Sequence, residues 1–496
     1  MKLTDKRVLL EAFKQLVGTT EYELGDNFYS FLQVDQYHDL QNPSKFLIVG
    51  GRGSGKTRIF RTLTGPDGFR RVIGDTKPYQ QPNYENTTLL IGYFADDSHF
   101  PKSTVLSKYN TDVAATAFWI GSIAYILVSH YPDDPQIKST VTDCFDQKAQ
   151  TLFASKDILK SPSQWVPFVM DNPEPWEIFL DRVNEILAQR DQWVILAYDQ
   201  IDRIHPEQEI LYSYIRTLVT YWYSVSQRWK RLKCKIFLRT DLRNAKTMRF
   251  PDASKLIARQ IDLSWDITSL YRLLIRRLSN MDASPEMLEY LQRIPALIYK
   301  SDDLGYVPTE QKEPLEKFVE QLIGRYMGTS PKKGYSYTWI PNHLQDANGD
   351  LSPRSFLKCY SCVATSMLAP QNQKVLQQLQ GNALLTPSAI QDSIQEVSTD
   401  RVQELQEDFP WLEKFKTIVE GSTLLMQEAE FLSKIQRLLE YYPNENYPAK
   451  TPSGMEDELI ALGIIQRTTD ARINMPEIYL HGFGLKRKGG IRHVKS

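Results

Sequence analysis

Gly50-Gly51-Arg52-Gly53-Ser54-Gly55-Lys56-Thr57 satisfies every constrained position of the pattern G-x-x-x-x-G-K-[ST]. An apolar run, Lys45-Phe46-Leu47-Ile48-Val49, leads into it, and Arg58-Ile59-Phe60-Arg61-Thr62-Leu63-Thr64 follows as a helix that Gly65-Pro66 ends. The order strand, glycine loop, helix has a physical reason. Glycines let successive backbone N–H groups curl around an anion, the helix N-terminus adds partial positive charge, and the lysine reaches the outer phosphates. The spacing predicts a cradle in which Gly51, Arg52, Gly53, Ser54, Gly55, Lys56, Thr57 and Arg58 face a nucleotide's phosphates, with Thr57 a ligand for Mg²⁺.

Further β-type runs recur at 88–94, 193–198, 235–238 and 259–263, separated by helical stretches that include 112–129, 174–190 and 207–229. This alternation predicts an α/β fold, a three-layer domain with a parallel sheet over 45–265, whose ligands bind beyond the carboxyl ends of the strands. Residues 1–44 are expected to form a helical lead, with an amphipathic helix at 8–17 packed on that domain. Helices dominate 266–422 (267–280, 285–294, 313–327, 353–368, 387–396 and 399–407), which reads as an α-helical lid. The stretch 328–352 within it, rich in Gly, Pro, Asn and aromatic residues, reads as a loop insertion. Over 423–496, helices at 427–441 and 453–462 precede two short strands joined by a polar turn, the pattern of a winged helix with a basic tail.

A chain of 496 residues is expected to form two or three domains. Lysine plus arginine (59) nearly cancels aspartate plus glutamate (60), so any attraction to nucleic acid must come from a local patch. Cys359 and Cys362 are spaced C-x-x-C inside a helical pattern without a second pair, so they read as small buried hydrophobes rather than zinc ligands. Sparse cysteine and an N-terminus of mixed charge lead to the expectation of a cytoplasmic protein. The apolar run 116–128 is too short to span a bilayer and is expected to be a core helix, with no membrane partner. The aromatic segment 212–229 is read as core rather than as a base-stacking platform.

Val194-Ile195-Leu196-Ala197-Tyr198-Asp199-Gln200-Ile201-Asp202-Arg203 is an apolar strand ending in acids, and Asp199 stands where a carboxylate would order the water shell of Mg²⁺. The loop 50–57, the ending Asp199-Gln200-Ile201-Asp202-Arg203 and the ending Phe237-Leu238-Arg239-Thr240-Asp241 together resemble the additional-strand P-loop ATPases, in particular the AAA+, KAP and STAND groups. The resemblance covers about half the chain. It implies ATP with Mg²⁺ as cofactors, Thr57 and Asp199 at the metal, and Arg239 or Thr240 as the group that senses the γ-phosphate. Ser352-Pro353-Arg354 resembles the opening of a lid helix in those groups, which makes Arg354 either a second phosphate sensor or a solvated helix-start arginine.

Position 200 departs from the pattern, because Gln200 stands where a hydrolysing member presents an acid. Glutamine orients water but cannot take its proton. Hydrolysis is therefore expected to be slow, to recruit Asp202 or Asp241, or to need an arginine in trans, for which Arg203, Arg243 and Arg249 are candidates. The tail 484–496 carries five Lys/Arg and no acid, suited to DNA phosphates, yet the candidate recognition helix holds Glu456, Asp457 and Glu458. A protein-facing role for the wing is the preferred reading. The seven histidines are scattered and no nucleophile motif accompanies them. The expected function is an ATP-driven switch or motor that couples nucleotide state to lid and winged-helix movement, in a homo-oligomer or with an effector protein. By resemblance its setting would be anti-phage defence. A non-hydrolysing nucleotide-bound scaffold and a DNA-dependent loader or transposition ATPase are the alternatives.

Overall fold

Trp193–Asp199 (β3) is buried at all seven positions, as a parallel strand covered on both faces must be. In the computed structural model it lies between Thr87–Phe94 (β2) and Leu232–Arg239 (β4), while β4 pairs with Leu47–Gly50 (β1) and β1 with Gln260–Asp262 (β5). The five strands are parallel, in the order β2-β3-β4-β1-β5. One strand, β4, thus stands between the strand that carries the glycine loop and the strand that ends in Asp199. The structure describes residues 1–17, 28–74, 85–155, 157–243, 247–248, 250, 253–281 and 284–487.

Side-chain alternation gives the sheet two working faces. Tyr198 pairs with Ile236, so it lies on the face opposite Phe237. On the Phe237 side packs Lys56–Thr64 (α2), whose Phe60 stacks on Phe94 at 5.0 Å and meets Phe237 edge-on at 6.0 Å. On the Tyr198 side lies the helix Asp112–His130, whose Trp119 meets Tyr93, Tyr198 and Tyr214 edge-on at 5.8–5.9 Å. That helix is long and apolar enough to cross a membrane by composition, and it is largely buried in this core. Tyr214, Trp222 and Trp229 are fully buried, and Trp229 donates to Asp181 at 2.6 Å, so the aromatic segment is core.

These strands and helices form one unit, Gln33–Leu263; Met1–Leu32 and Ser264–Ser496 form a second. The second unit is helical, with Ile267–Ser279, Lys312–Ile323, Pro353–Leu368 and Pro387–Asp408 among its longer members. Three details differ from the sequence expectation. Leu3–Lys14 (α1), expected on the nucleotide domain, belongs to the second unit: Phe13 stacks with Tyr360 at 6.0 Å, Ser361 donates to the Lys14 carbonyl at 2.7 Å, and Lys6 donates to the carbonyls of Leu376 and Leu379. The helices expected at 387–396 and 399–407 are one, because Val397 and Ser398 are buried in an unbroken turn and Ser398 accepts from the Gly482 N–H. The supposed loop 328–352 contains the helix Ser336–Leu344, which holds Pro341 and buries Tyr337, Ile340 and Leu344.

Towards the C-terminus, Glu428–Tyr441 and Pro452–Ala461 precede a small antiparallel sheet in which Arg472–Asn474 lies between Gln466–Arg467 and Met426–Gln427. Glu456 is fully buried and takes the Arg467 guanidinium of the hairpin at 2.8 Å. One of the three acids on that helix is therefore internal. Lys486–Arg487 pairs in parallel with Thr423–Leu424, and Arg487 donates to the Met475 carbonyl at 2.6 Å. The rest of the basic tail, 488–496, lies outside the described residues.

Candidate nucleotide-binding site

The glycine loop begins where β1 ends, at Gly50, which is in register with Arg239 of β4. Gly53 and Gly55 adopt left-handed φ of 79° and 99°, a region glycine enters without a Cβ clash, and Gly55 caps α2. The chain thereby turns from strand to helix within five residues. Lys56 curls back over the loop and donates to the carbonyls of Gly50 (2.7 Å) and Gly51 (2.8 Å). Burial pushes its ammonium down to about 8, partly offset by the nearby Asp199 carboxylate.

Asp199, at the tip of β3, is buried, and burial pushes its carboxyl up to about 6 against hydrogen bonds from Thr57 and the Gln200 N–H and the attraction of Lys56. Its Oδ2 has no hydrogen-bond partner. A buried, partner-short carboxylate beside a threonine hydroxyl is a hard oxygen donor set of the kind Mg²⁺ favours, so the residues present fit that ion.

Arg239 places its guanidinium against both oxygens of Asp241 (3.1 and 2.9 Å) and reaches Asp202 at 3.4 Å. Thr240 and Asp241 open the short turn after β4. Gln200 holds a left-handed backbone (φ 54°, ψ 31°), and its Nε2 donates to Asp96 at 2.8 Å. Arg203 donates to the other oxygen of the same carboxylate at 2.6 Å. The structure therefore brings Lys56, Thr57, Asp199, Gln200, Asp202 and Arg239 to the carboxyl ends of β1, β3 and β4, with the loop residues Gly51 to Gly55 and Arg58 alongside. Arg354 lies in the second unit, at the start of Pro353–Leu368, and pairs with Glu404 at 3.5 Å. Arg249 lies outside the described residues. Asp96, two residues past β2, was not foreseen: the pair Asp96-Asp97 after an edge strand carries no motif.

No family model matches the chain. A curated relative, an 80.3 kDa protein ascribed to transposon gamma-delta in Escherichia coli (strain K12), is 24% identical over 263 residues, which is 50% of this chain and 37% of the relative. The chain thus spans little more than a third of that protein's length. Among solved structures, a Walker-type ATPase of Pyrococcus abyssi is 13% identical with a TM-score of 0.38, covering 95% of this chain and 99% of that one. Cdc6p from Pyrobaculum aerophilum is 11% identical with a TM-score of 0.27, covering 90% and 91%. The ORC2 protein of Aeropyrum pernix is 9% identical with a TM-score of 0.26, covering 90% and 92%. The α/β P-loop architecture of Gln33–Leu263 rests on its own strand order and loop geometry.

Proposed function

We propose that this chain binds ATP with Mg²⁺ in the 50–57 loop and hydrolyses it slowly, using the nucleotide state as a switch. The observation that carries the reading is the meeting of Lys56 and Thr57 with the buried, partner-short Asp199 at the strand tips, with β4 inserted between β1 and β3. In this reading the loop amides and Lys56 take the phosphates, and Lys56 exchanges its two carbonyl acceptors for phosphate oxygens. Thr57 and Asp199 hold Mg²⁺, which when bound neutralises charge on the phosphates. Gln200 orients the attacking water, Asp202 serves as a nearby carboxylate, and Arg239 with Thr240 reads the γ-phosphate. Arg354 as second sensor, the helices after 266 as a lid, the 423–496 region as a winged helix, and assembly with itself or an effector extend the same reading. Sequence resemblance alone supports those extensions, including a defence role.

Titration calorimetry with ATP and Mg²⁺ tests binding, with Lys56→Ala expected to weaken it by roughly tenfold or more, a loss near 1.4 kcal/mol per decade. Steady-state phosphate release tests turnover; bound nucleotide without release favours the scaffold reading. The transposon-ascribed relative favours one further reading, a DNA-dependent ATPase. It predicts that duplex DNA stimulates phosphate release and that neutralising Lys486 together with Lys488 lowers DNA affinity with a shallower salt slope.

A further inference from the structure

We propose that Asp96 is a positioning residue that fixes the side-chain amide of Gln200, so that the carbonyl oxygen Oε1 is the atom offered to the attacking water. This rests on the hydrolytic reading above. Register places Phe94, the last residue of β2, beside Asp199, so the turns that follow the two strands run side by side. There Asp96 accepts from Gln200 Nε2 at 2.8 Å through one oxygen and from Arg203 at 2.6 Å through the other. An ionised carboxylate only accepts hydrogen bonds, so the amide must turn its NH₂ towards Asp96 and its carbonyl away. Arg203 donates to the second oxygen of that carboxylate, so the oxygen that faces Gln200 is left to accept from the amide.

Two further observations point the same way. Gln200 Oε1 is buried without a hydrogen-bond partner, an acceptor held ready for a donor. Gln200 also sustains a left-handed φ of 54°, a strained conformation for a non-glycine residue that its surroundings must hold in place. Position 200 thus lacks an acid, and the neighbouring strand supplies one that does not face the reaction but orients the group that does.

The pairing makes a counter-intuitive claim. Gln200→Glu, which restores the acid usual at this position, sets two carboxylates against each other and is expected to lower turnover by about tenfold rather than raise it. Asp96→Asn, added to Gln200→Glu, lets the new amide donate to the new carboxylate and is expected to recover at least about fivefold of that loss, with KM for ATP held within about twofold. Melting temperature supplies a readout independent of nucleotide. Gln200→Glu should melt lower than wild type at pH 8 and approach it near pH 4, because a carboxyl whose folded pKa is raised by a like charge loses stability as pH rises from its unfolded to its folded value, and Asp96→Asn should erase that pH dependence.

Additive effects of the two substitutions, in turnover or in melting, would overturn the proposal while wild-type phosphate release left the hydrolytic reading standing. Faster turnover by Gln200→Glu with Asp96 intact would do the same. Bound ATP with no phosphate release by wild type would instead remove the hydrolytic reading, and this role with it.

Discussion

Gly50 and Gly51 are adjacent, yet only the first is crowded by the protein. A Cβ at Gly50 would meet Ser54 Oγ at 2.5 Å and Leu263 Cβ at 3.1 Å, whereas one at Gly51 meets nothing within 4 Å. Gly50→Ala is expected to cost about 1–3 kcal/mol in chemical denaturation and Gly51→Ala within about 0.5 kcal/mol, as overpacking and open positions do. Equal costs would show that the loop relaxes freely. Asp199 gives a pH prediction. Its folded carboxyl, at about 6, lies above the ordinary 3.8, so the folded state binds more protons between those values and stability falls as pH rises from about 4 to about 6. Asp199→Asn removes that penalty. The variant should unfold about 1–3 kcal/mol later than wild type at pH 7, converge with it below pH 4, and lose Mg²⁺-dependent nucleotide binding. A variant less stable than wild type at pH 7 would mean the carboxylate is held by contacts stronger than its desolvation. The loop and Asp199 were legible because a phosphate cradle constrains residue type at fixed spacing. Asp96 was not, because its partner is 104 residues away and only strand register brings them together.

Among the elements, the helix Asp112–His130 shows what a continuous apolar stretch does and does not reveal. Its sequence announced burial, and its place against the sheet follows from the need to cover the Tyr198 face. Its closest approach to a neighbour could not be read, because it depends on a single missing side chain. A Cβ at Gly121 would meet the Trp165 ring at 2.3 Å and Val169 at 3.2 Å. Trp165 is itself fully buried and pinned by a 3.0 Å bond from its indole N–H to the Ile158 carbonyl, so it cannot step aside cheaply. Gly121→Ala, a helix-favouring change by propensity, is therefore expected to destabilise by about 1–3 kcal/mol in urea. A stabilised variant would show that the helix can shift along Val166–Asp171. The sheet strands and most long helices were legible from apolar runs and period. The hairpin Ile298–Ser301 and Gly305–Pro308 (β6 and β7) was not, since its residues, all but Pro308 exposed or half-buried, make no apolar run. Ser336–Leu344 was hidden by surrounding Gly and by Pro341, which sits inside the helix.

Across the whole molecule, the unit that carries the glycine loop is a continuous stretch of chain, and the other unit is built from both sides of it. An amphipathic stripe on α1 declares that a partner exists without saying which, so assignment by proximity in sequence sent the helix to the wrong unit. Its true partners are far along the chain: Phe13, fully buried, stacks on Tyr360, and Lys6 is anchored on two backbone carbonyls near 376–379. This separation predicts how the two units respond to two different perturbations in differential scanning calorimetry. ATP with Mg²⁺ at about a hundred times its Kd should raise the transition of Gln33–Leu263 by the equivalent of about 2.7 kcal/mol, because only the folded loop binds it. Phe13→Ala should lower the other transition by about 3–5 kcal/mol, the usual cost of emptying a buried aromatic site. The nucleotide-responsive transition should stay in place. Movement of that transition by Phe13→Ala, with the other unchanged, would return α1 to the unit Gln33–Leu263 and undo the division of the chain at Leu32 and Ser264.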